Sequence, residues 1–284
     1  MTGPFTAACI QNEAVADMDA SIAAATELVR AARGAGAELI CLPEYFSCYK
    51  AAADAVIVGP RAEPAHPALA HFQALAEELG AWLLLGSLAI TAGPERIFNR
   101  SYLLAPDGAI AARYDKIFLF DVDLASGESY RESALIEPGG RAILAPLPWA
   151  TLGLSICYDL RFPQLYRALA QAGAEVLTVP AAFTKTTGAA HWHLLLRARA
   201  IETGCYVIAP CQCGDHGGGR ATYGHSLIVD PWGRVLADGG ADPGFVTAEI
   251  DPAEVAKARR MIPSLDHDRP FAAPEARAPA VRSA

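Results

Sequence analysis

The sequence predicts an α/β protein, a four-layer α-β-β-α sandwich, and two internal echoes carry that prediction. Gly36-Ala37-Glu38-Leu39-Ile40-Cys41-Leu42-Pro43 returns as Gly173-Ala174-Glu175-Val176-Leu177-Thr178-Val179-Pro180. Ser101-Tyr102-Leu103-Leu104-Ala105-Pro106-Asp107-Gly108 is matched by Ser226-Leu227-Ile228-Val229-Asp230-Pro231-Trp232-Gly233, each placing Pro-x-Gly between two apolar runs. A chain of 284 residues, 52% of them hydrophobic, buries roughly three quarters of its unfolded surface, enough for one large core without disulfides. Two similar halves, each with a sheet face to bury, pack most simply sheet against sheet with helices outside.

The elements follow in order. Thr6-Ala7-Ala8-Cys9 begins a strand-like run, and Val15 to Ala32 has the spacing of an amphipathic helix. Glycine then closes the helix, and Leu39-Ile40-Cys41-Leu42-Pro43 reads as a strand with Glu44 just past its end. The first Pro-x-Gly turn predicts a hairpin, because proline presets φ and glycine supplies a positive φ. Its second strand, Ala109 to Asp115, delivers Lys116. Thr151-Leu152-Gly153-Leu154-Ser155-Ile156 reads as a buried strand that runs into Cys157-Tyr158-Asp159-Leu160-Arg161-Phe162-Pro163. The second helix–strand unit is Gln164 to Ala172 followed by Val176 to Pro180, and the second hairpin completes the echo. One domain over residues 1–260 is expected. Residues 261–284, with Pro263, Pro270, Pro274 and Pro279, are too proline-rich for a helix or strand and read as a disordered end or an extended arm.

Composition excludes several classes. A net charge of −8 with a pI near 5.4 offers no basic stripe for a nucleic acid. No stretch approaches the roughly 18 apolar residues of a membrane span, and the start lacks a basic leader, so a cytoplasmic protein is expected. Seven scattered cysteines fit reduced thiols rather than a disulfide framework. No metal site is expected. Cys211 and Cys213 lack a second pair at ligand spacing, and His191 and His193 point apart on a helix. Gly217-Gly218-Gly219 suggests a mobile loop and not a phosphate cradle, since no strand–loop–helix frame with a P-loop lysine follows it.

Three strand ends supply chemistry. A thiol is a strong nucleophile only as thiolate, so Cys157 needs a base and a positive charge beside it. Glu44 can take the thiol proton, pass it to a leaving amine and later activate water. Lys116 and the backbone N–H of Tyr158 can hold an oxyanion. Glu132, shortly after Lys116, can orient the lysine or hold substrate. Phe183, Thr184 and Thr187 follow the strand beside Cys157 and are candidate substrate contacts. Arg161 can either meet a substrate carboxylate or pair internally with Asp159. Arg197, Arg199 and Glu202 read as helix-surface or intersubunit ion pairs.

Leu42-Pro43-Glu44, Tyr114-Asp115-Lys116 and the Cys157–Pro163 segment resemble the three signatures of the nitrilase superfamily of carbon–nitrogen hydrolases, over about Thr6 to Arg260. The resemblance implies a Glu44–Lys116–Cys157 triad, Glu132 as a second acid, the four-layer sandwich, no cofactor and a homodimer or higher homo-oligomer with the tail as an arm across the partner. Ala182-Phe183-Thr184, Thr187 to Trp192, Leu195 to Glu202, Cys205-Tyr206-Val207 and Tyr223 to Gly233 are similar to one branch of that family. That branch cleaves the amide of deaminated glutathione to 2-oxoglutarate and Cys-Gly, a metabolite-repair step. ω-Amidase action on 2-oxoglutaramate, hydrolysis of N-carbamoyl amino acids, and an inactive binding scaffold are the alternatives. The branch commonly has Glu after His-Trp, where this chain has His193.

Overall fold

The computed structural model describes residues 3–51, 56–124, 127 and 129–272. Two six-stranded sheets form its centre. The first runs, edge to edge, Gly244–Ile250, Phe5–Gln11, Leu39–Cys41, Trp82–Thr91, Ile97–Leu104 and Ile110–Asp115. The second runs Leu144–Pro146, Thr151–Leu154, Val176–Thr178, Tyr206–Ala209, Leu227–Val229 and Val235–Asp238. Each sheet has the same grammar: an antiparallel edge strand, three parallel strands, then an antiparallel hairpin. The sequence echoes are therefore the parallel strands Leu39–Cys41 and Val176–Thr178 and the two hairpins.

Side-chain alternation builds the layers. Along Phe5–Gln11, Ala7 and Cys9 pack in the cluster that contains Leu152, Leu154 and Val207 of the other sheet. Ala8 and Ile10 point the other way, into a cluster with Val29 of α1 (Met18–Gly34) and Phe72 of α2 (Pro67–Leu79). Period-two alternation thus lets one strand serve two cores. On the second sheet, α3 (Pro163–Gln171) contributes Leu165, Tyr166 and Leu169, and α4 (Lys185–Thr203) contributes Trp192, Leu196 and Ala200. The result is the expected α-β-β-α sandwich.

Two boundaries differ from the sequence reading. Helix α1 starts at Met18, not Val15, because the Asp17 carboxylate caps it by accepting from the Ala20 N–H, 3.1 Å, while Ser21 Oγ and the Val15 N–H meet at 3.0 Å ahead of it. After α5 (Pro252–Met261), the first part of the proline-rich segment folds back on its own chain. The Arg167 guanidinium of α3 pairs with Asp268 and donates to the Ser264 carbonyl, 2.9 Å, and Gln171 Nε2 donates to the Leu265 carbonyl, 3.2 Å. Residues 273–284, with Pro274 and Pro279, lie outside the described residues.

Candidate active site

Three strand ends converge between the sheets. Glu44 follows Leu39–Cys41 in a turn seated in a bulge of Trp82–Thr91. The Leu42 N–H donates to the Leu84 carbonyl at 2.9 Å, Ser87 Oγ accepts from the Tyr45 N–H at 3.0 Å, and the ladder shifts register between Leu85 and Leu88. Gly86 permits this approach: a Cβ there would stand 2.0 Å from the Leu42 carbonyl oxygen. Lys116 leaves Ile110–Asp115 with its N–H on the Asn99 carbonyl, 3.0 Å, and its carbonyl on the Gly139 N–H, 2.8 Å. Cys157 opens a 3₁₀ turn, Cys157–Arg161, with its N–H on the Pro180 carbonyl, 2.9 Å. Tyr45 and Cys157 both have positive φ, 52° and 48°, a conformation rare for residues with a side chain and concentrated at functional sites.

The side chains meet out of water. Lys116 Nζ donates to Glu44 Oε1 at 3.0 Å and to Glu132 Oε1 at 2.8 Å, and the Cys157 thiol is hydrogen-bonded to Glu44. Glu44, Lys116 and Cys157 are 3%, 2% and 8% exposed, so each charge must be satisfied locally. Glu44 Oε1 also accepts from Asn99 Nδ2, 2.7 Å, and Oε2 from the Ala182 N–H, 2.8 Å. Glu132 Oε2 accepts from the Phe120 N–H, 2.6 Å.

Burial, followed by the negative charge of Glu44, pushes the Cys157 thiol well above the usual range, against the pull of Lys116. Burial works against the Lys116 ammonium, but Glu132 and Glu44 more than offset it and hold its pKa well above normal. Burial raises the Glu132 carboxyl despite the lysine. The resting arrangement is thus a neutral thiol facing a carboxylate that is itself clamped to an ammonium.

Asp159 ties the lysine and cysteine segments together. Its carboxyl accepts from Tyr114 Oη, 2.7 Å, the Phe118 N–H, 2.9 Å, and the Ile156 N–H, 2.8 Å, and burial pushes its pKa up to about 6. These partners bear on the internal pairing expected for Arg161. It does not pair with Asp159, and it is absent from the cavity lining. Its guanidinium lies between the rings of Tyr158 and Phe183, at 5.9 and 5.3 Å, beside His191 Nδ1 at 3.4 Å. Arg199 pairs with Glu202 along the helix as expected, Nη1 to Oε2 at 2.8 Å, but it is itself 4% exposed and also donates to the Leu160 carbonyl from Nε, 3.0 Å, and Nη2, 2.9 Å, bracing the turn after Cys157.

A cavity of about 840 Å³ opens over the cluster, within the range of small-molecule sites. Glu44, Lys116, Glu132, Cys157 and Tyr158 line it, as do Phe183, Thr184 and Thr187. The two threonines share a hydroxyl hydrogen bond, 2.7 Å, at the start of α4, where Thr184 is the N-cap. Tyr45, Asn99, Gln212 and Arg220 escaped the sequence reading, and Ala182 entered it only as part of the branch resemblance. Gln212 Nε2 donates to the carbonyls of Glu44 and Tyr45, 3.0 and 3.1 Å, and the buried Tyr45 hydroxyl has no hydrogen-bond partner among the described residues. The one available signal was polarity inside apolar runs, at Asn99 and Gln212. Away from the cavity, Asp238 accepts from His193 Nε2 and His225 Nδ1, 2.9 Å each, so these three ligand-type groups already satisfy one another.

An acid, a lysine and a thiol at three strand ends of a doubled α-β sandwich define a carbon–nitrogen hydrolase. The profile of the carbon-nitrogen hydrolase family matches residues 6–260, and the chain belongs to that family. Among its relatives is the deaminated glutathione amidase of Synechocystis sp., 41% identical over 275 residues, 93% of this chain and 98% of the relative. The Homo sapiens deaminated glutathione amidase is 42% identical over 274 residues, 94% of this chain and 83% of the relative. The crystal structure of the C. elegans NitFhit protein superposes with a TM-score of 0.85 at 34% identity, over 94% of this chain and 66% of that one. Among the described residues no helix is long and apolar enough to cross a membrane.

Proposed function

We propose that this protein is an amidase that cleaves deaminated glutathione to 2-oxoglutarate and Cys-Gly through a thioester on Cys157. The observation that carries the reading is the single Glu44 carboxyl meeting both the Cys157 thiol and the Lys116 ammonium. Because the thiol is neutral at rest, its proton must leave as the sulfur attacks, and Glu44 is the hydrogen-bonded base. The sulfur bonds to the amide carbon, and the carbonyl oxygen takes the negative charge against Lys116 and the N–H of Tyr158. Protonated Glu44 then gives its proton to the amine nitrogen as the carbon–nitrogen bond breaks. Water, losing a proton to Glu44, attacks the thioester carbon and the thiol departs with that proton. Glu132 keeps Lys116 oriented toward the cavity. No step draws on a cofactor.

The similarity to deaminated glutathione amidases along nearly the whole chain supports this substrate over the alternatives. The test is release of 2-oxoglutarate from deaminated glutathione, measured beside 2-oxoglutaramate and an N-carbamoyl amino acid. Turnover of the deaminated tripeptide that disappears in Cys157→Ala is expected. Turnover of the carbamoyl compound alone would overturn the substrate assignment.

A further inference from the structure

The floor of the cavity carries the acid–lysine–thiol cluster, and its rim carries two guanidiniums, Arg131 and Arg220. Arg131 is already engaged. Its Nη2 donates to both oxygens of Asp123, 2.8 Å each, and its Nη1 to the carbonyls of Val122 and Tyr130, 3.2 and 2.8 Å.

Arg220 is placed with equal care but, among the described residues, holds no counter-charge. Its Nη2 donates to the Ser129 carbonyl, 3.2 Å, its guanidinium lies 4.4 Å from the centre of the Tyr130 ring, and no carboxylate of a described residue pairs with it. The backbone fixes where it starts. Cys213–Asp215 and Ala221–Tyr223 form a two-stranded hairpin whose tip is Gly217-Gly218-Gly219, with φ of 82°, 60° and 74°. Three consecutive left-handed residues are accessible only to glycine without strain. They turn the chain so that the His216 N–H donates to the Arg220 carbonyl, 2.9 Å, and the Arg220 N–H to the Gly217 carbonyl, 3.0 Å. The buried His216 ring fastens the hairpin to the body, contacting the Ala14 carbonyl at 3.2 Å and the Thr222 hydroxyl at 2.8 Å. The glycine run is thus a hydrogen-bonded hairpin tip that delivers one arginine.

A guanidinium has five donors in a planar fork suited to a carboxylate, and among the described residues only the Ser129 carbonyl and the Tyr130 ring engage that of Arg220. The floor is a poor place for a substrate carboxylate, because Glu44 and Glu132 already share Lys116 there. We propose that Arg220 is a specificity-determining residue that receives a substrate carboxylate remote from the reacting carbonyl, making this a site for acidic amides. The proposal rests on the amidase reading above. Deaminated glutathione has two such carboxylates, one on its oxo-acid end and one on its glycine end.

The experiment compares kcat/KM for deaminated glutathione with that for two analogues, each with one carboxylate made neutral, in the unaltered enzyme, Arg220→Ala and Arg220→Lys. The unaltered enzyme is expected to favour the parent over one analogue by about 10- to 100-fold, the range for one hydrogen bond between charges. Arg220→Ala should lose that preference through KM, with far less loss toward the neutral analogue, and Arg220→Lys should regain part of it. If the unaltered enzyme prefers the parent and Arg220→Ala keeps the whole preference, the assignment of Arg220 is overturned while the acidic-amide reading stands. Equal loss toward parent and analogues in Arg220→Ala, with slowed labelling of Cys157 by iodoacetamide, would show a structural role and overturn it too. An unaltered enzyme indifferent to both carboxylates would overturn the acidic substrate itself.

Discussion

At the scale of single residues, the site shows how burial decides protonation. Cys157 stays a thiol because burial and Glu44 together outweigh the lysine, so its nucleophilicity is created only when the proton moves. His66 shows the same physics outside the site. It is 1% exposed, neither ring nitrogen has a hydrogen-bond partner among the described residues, and burial, reinforced by the charge of Arg61, lowers its pKa from 6.5 to about 4. The unfolded chain binds a proton near pH 6.5 that the folded chain refuses until about pH 4. The stability tied to this neutral imidazole is therefore complete above pH 6.5 and lost as the pH falls toward 4. Urea titrations of the unaltered protein and His66→Leu should show their stability difference shifting against the unaltered protein by on the order of 3 kcal/mol between pH 7 and 4. A difference that does not change with pH would refute the neutral, unpaired His66.

At the scale of elements, catalytic positioning depends on backbone that carries no chemistry. The Leu42–Tyr45 turn lies so close to the bulged strand that Gly86 has no room for a methyl group: its Cβ would be 2.0 Å from the Leu42 carbonyl oxygen and 2.3 Å from that of Pro43. Both neighbours are backbone, so relief must come from moving the turn, and Glu44 moves with it. Gly86→Ala should lower kcat by roughly 100-fold, as expected for misplacing a reacting group by about 1 Å, and lower stability by about 1–3 kcal/mol. Steady-state kinetics and denaturant unfolding would check both, and values like those of the unaltered protein would mean that the turn is not held here.

At the scale of the whole molecule, the two sheets share one site because neither completes it. Glu44 and Lys116 come from the first sheet, and Cys157 and the Ala182 N–H from the second. The outer surface leaves Leu194 and Ile201 of α4 exposed at 68% and 54%, with Trp232 of the nearby hairpin turn at 57%. Ile201 lies against Gly233, and Arg197 Nε donates to the Gly233 carbonyl, 2.7 Å, which makes helix and turn one continuous face. We propose that this apolar face pairs with a second copy of the chain. Light scattering at micromolar concentration should give a dimer, and Ile201→Asp should shift it toward monomer; a monomeric unaltered protein would count against the pairing.

The sequence by itself determined the repeated half, the two hairpins and the three motif residues, because each is written locally: alternation sets strands, Pro-x-Gly sets turns, and a polar residue just past an apolar run marks a strand end. Tertiary structure alone decided what those residues meet. Nothing near Glu44 in the chain announces Ala182, 138 residues away, whose N–H fixes one carboxyl oxygen, or Gln212, whose amide holds the turn. Nor could spacing choose the rim cation. Arg161, four positions from the nucleophile, is drawn between two aromatic rings, whereas Arg220 reaches the cavity because a glycine tip turns it there. The edge of the first sheet is closed by Gly244–Ile250 from the far end of the chain, pairing with Phe5–Gln11. Local pattern fixes period and turn. Which distant backbone donor or guanidinium reaches a buried site depends on contacts that exist only once both sheets are packed.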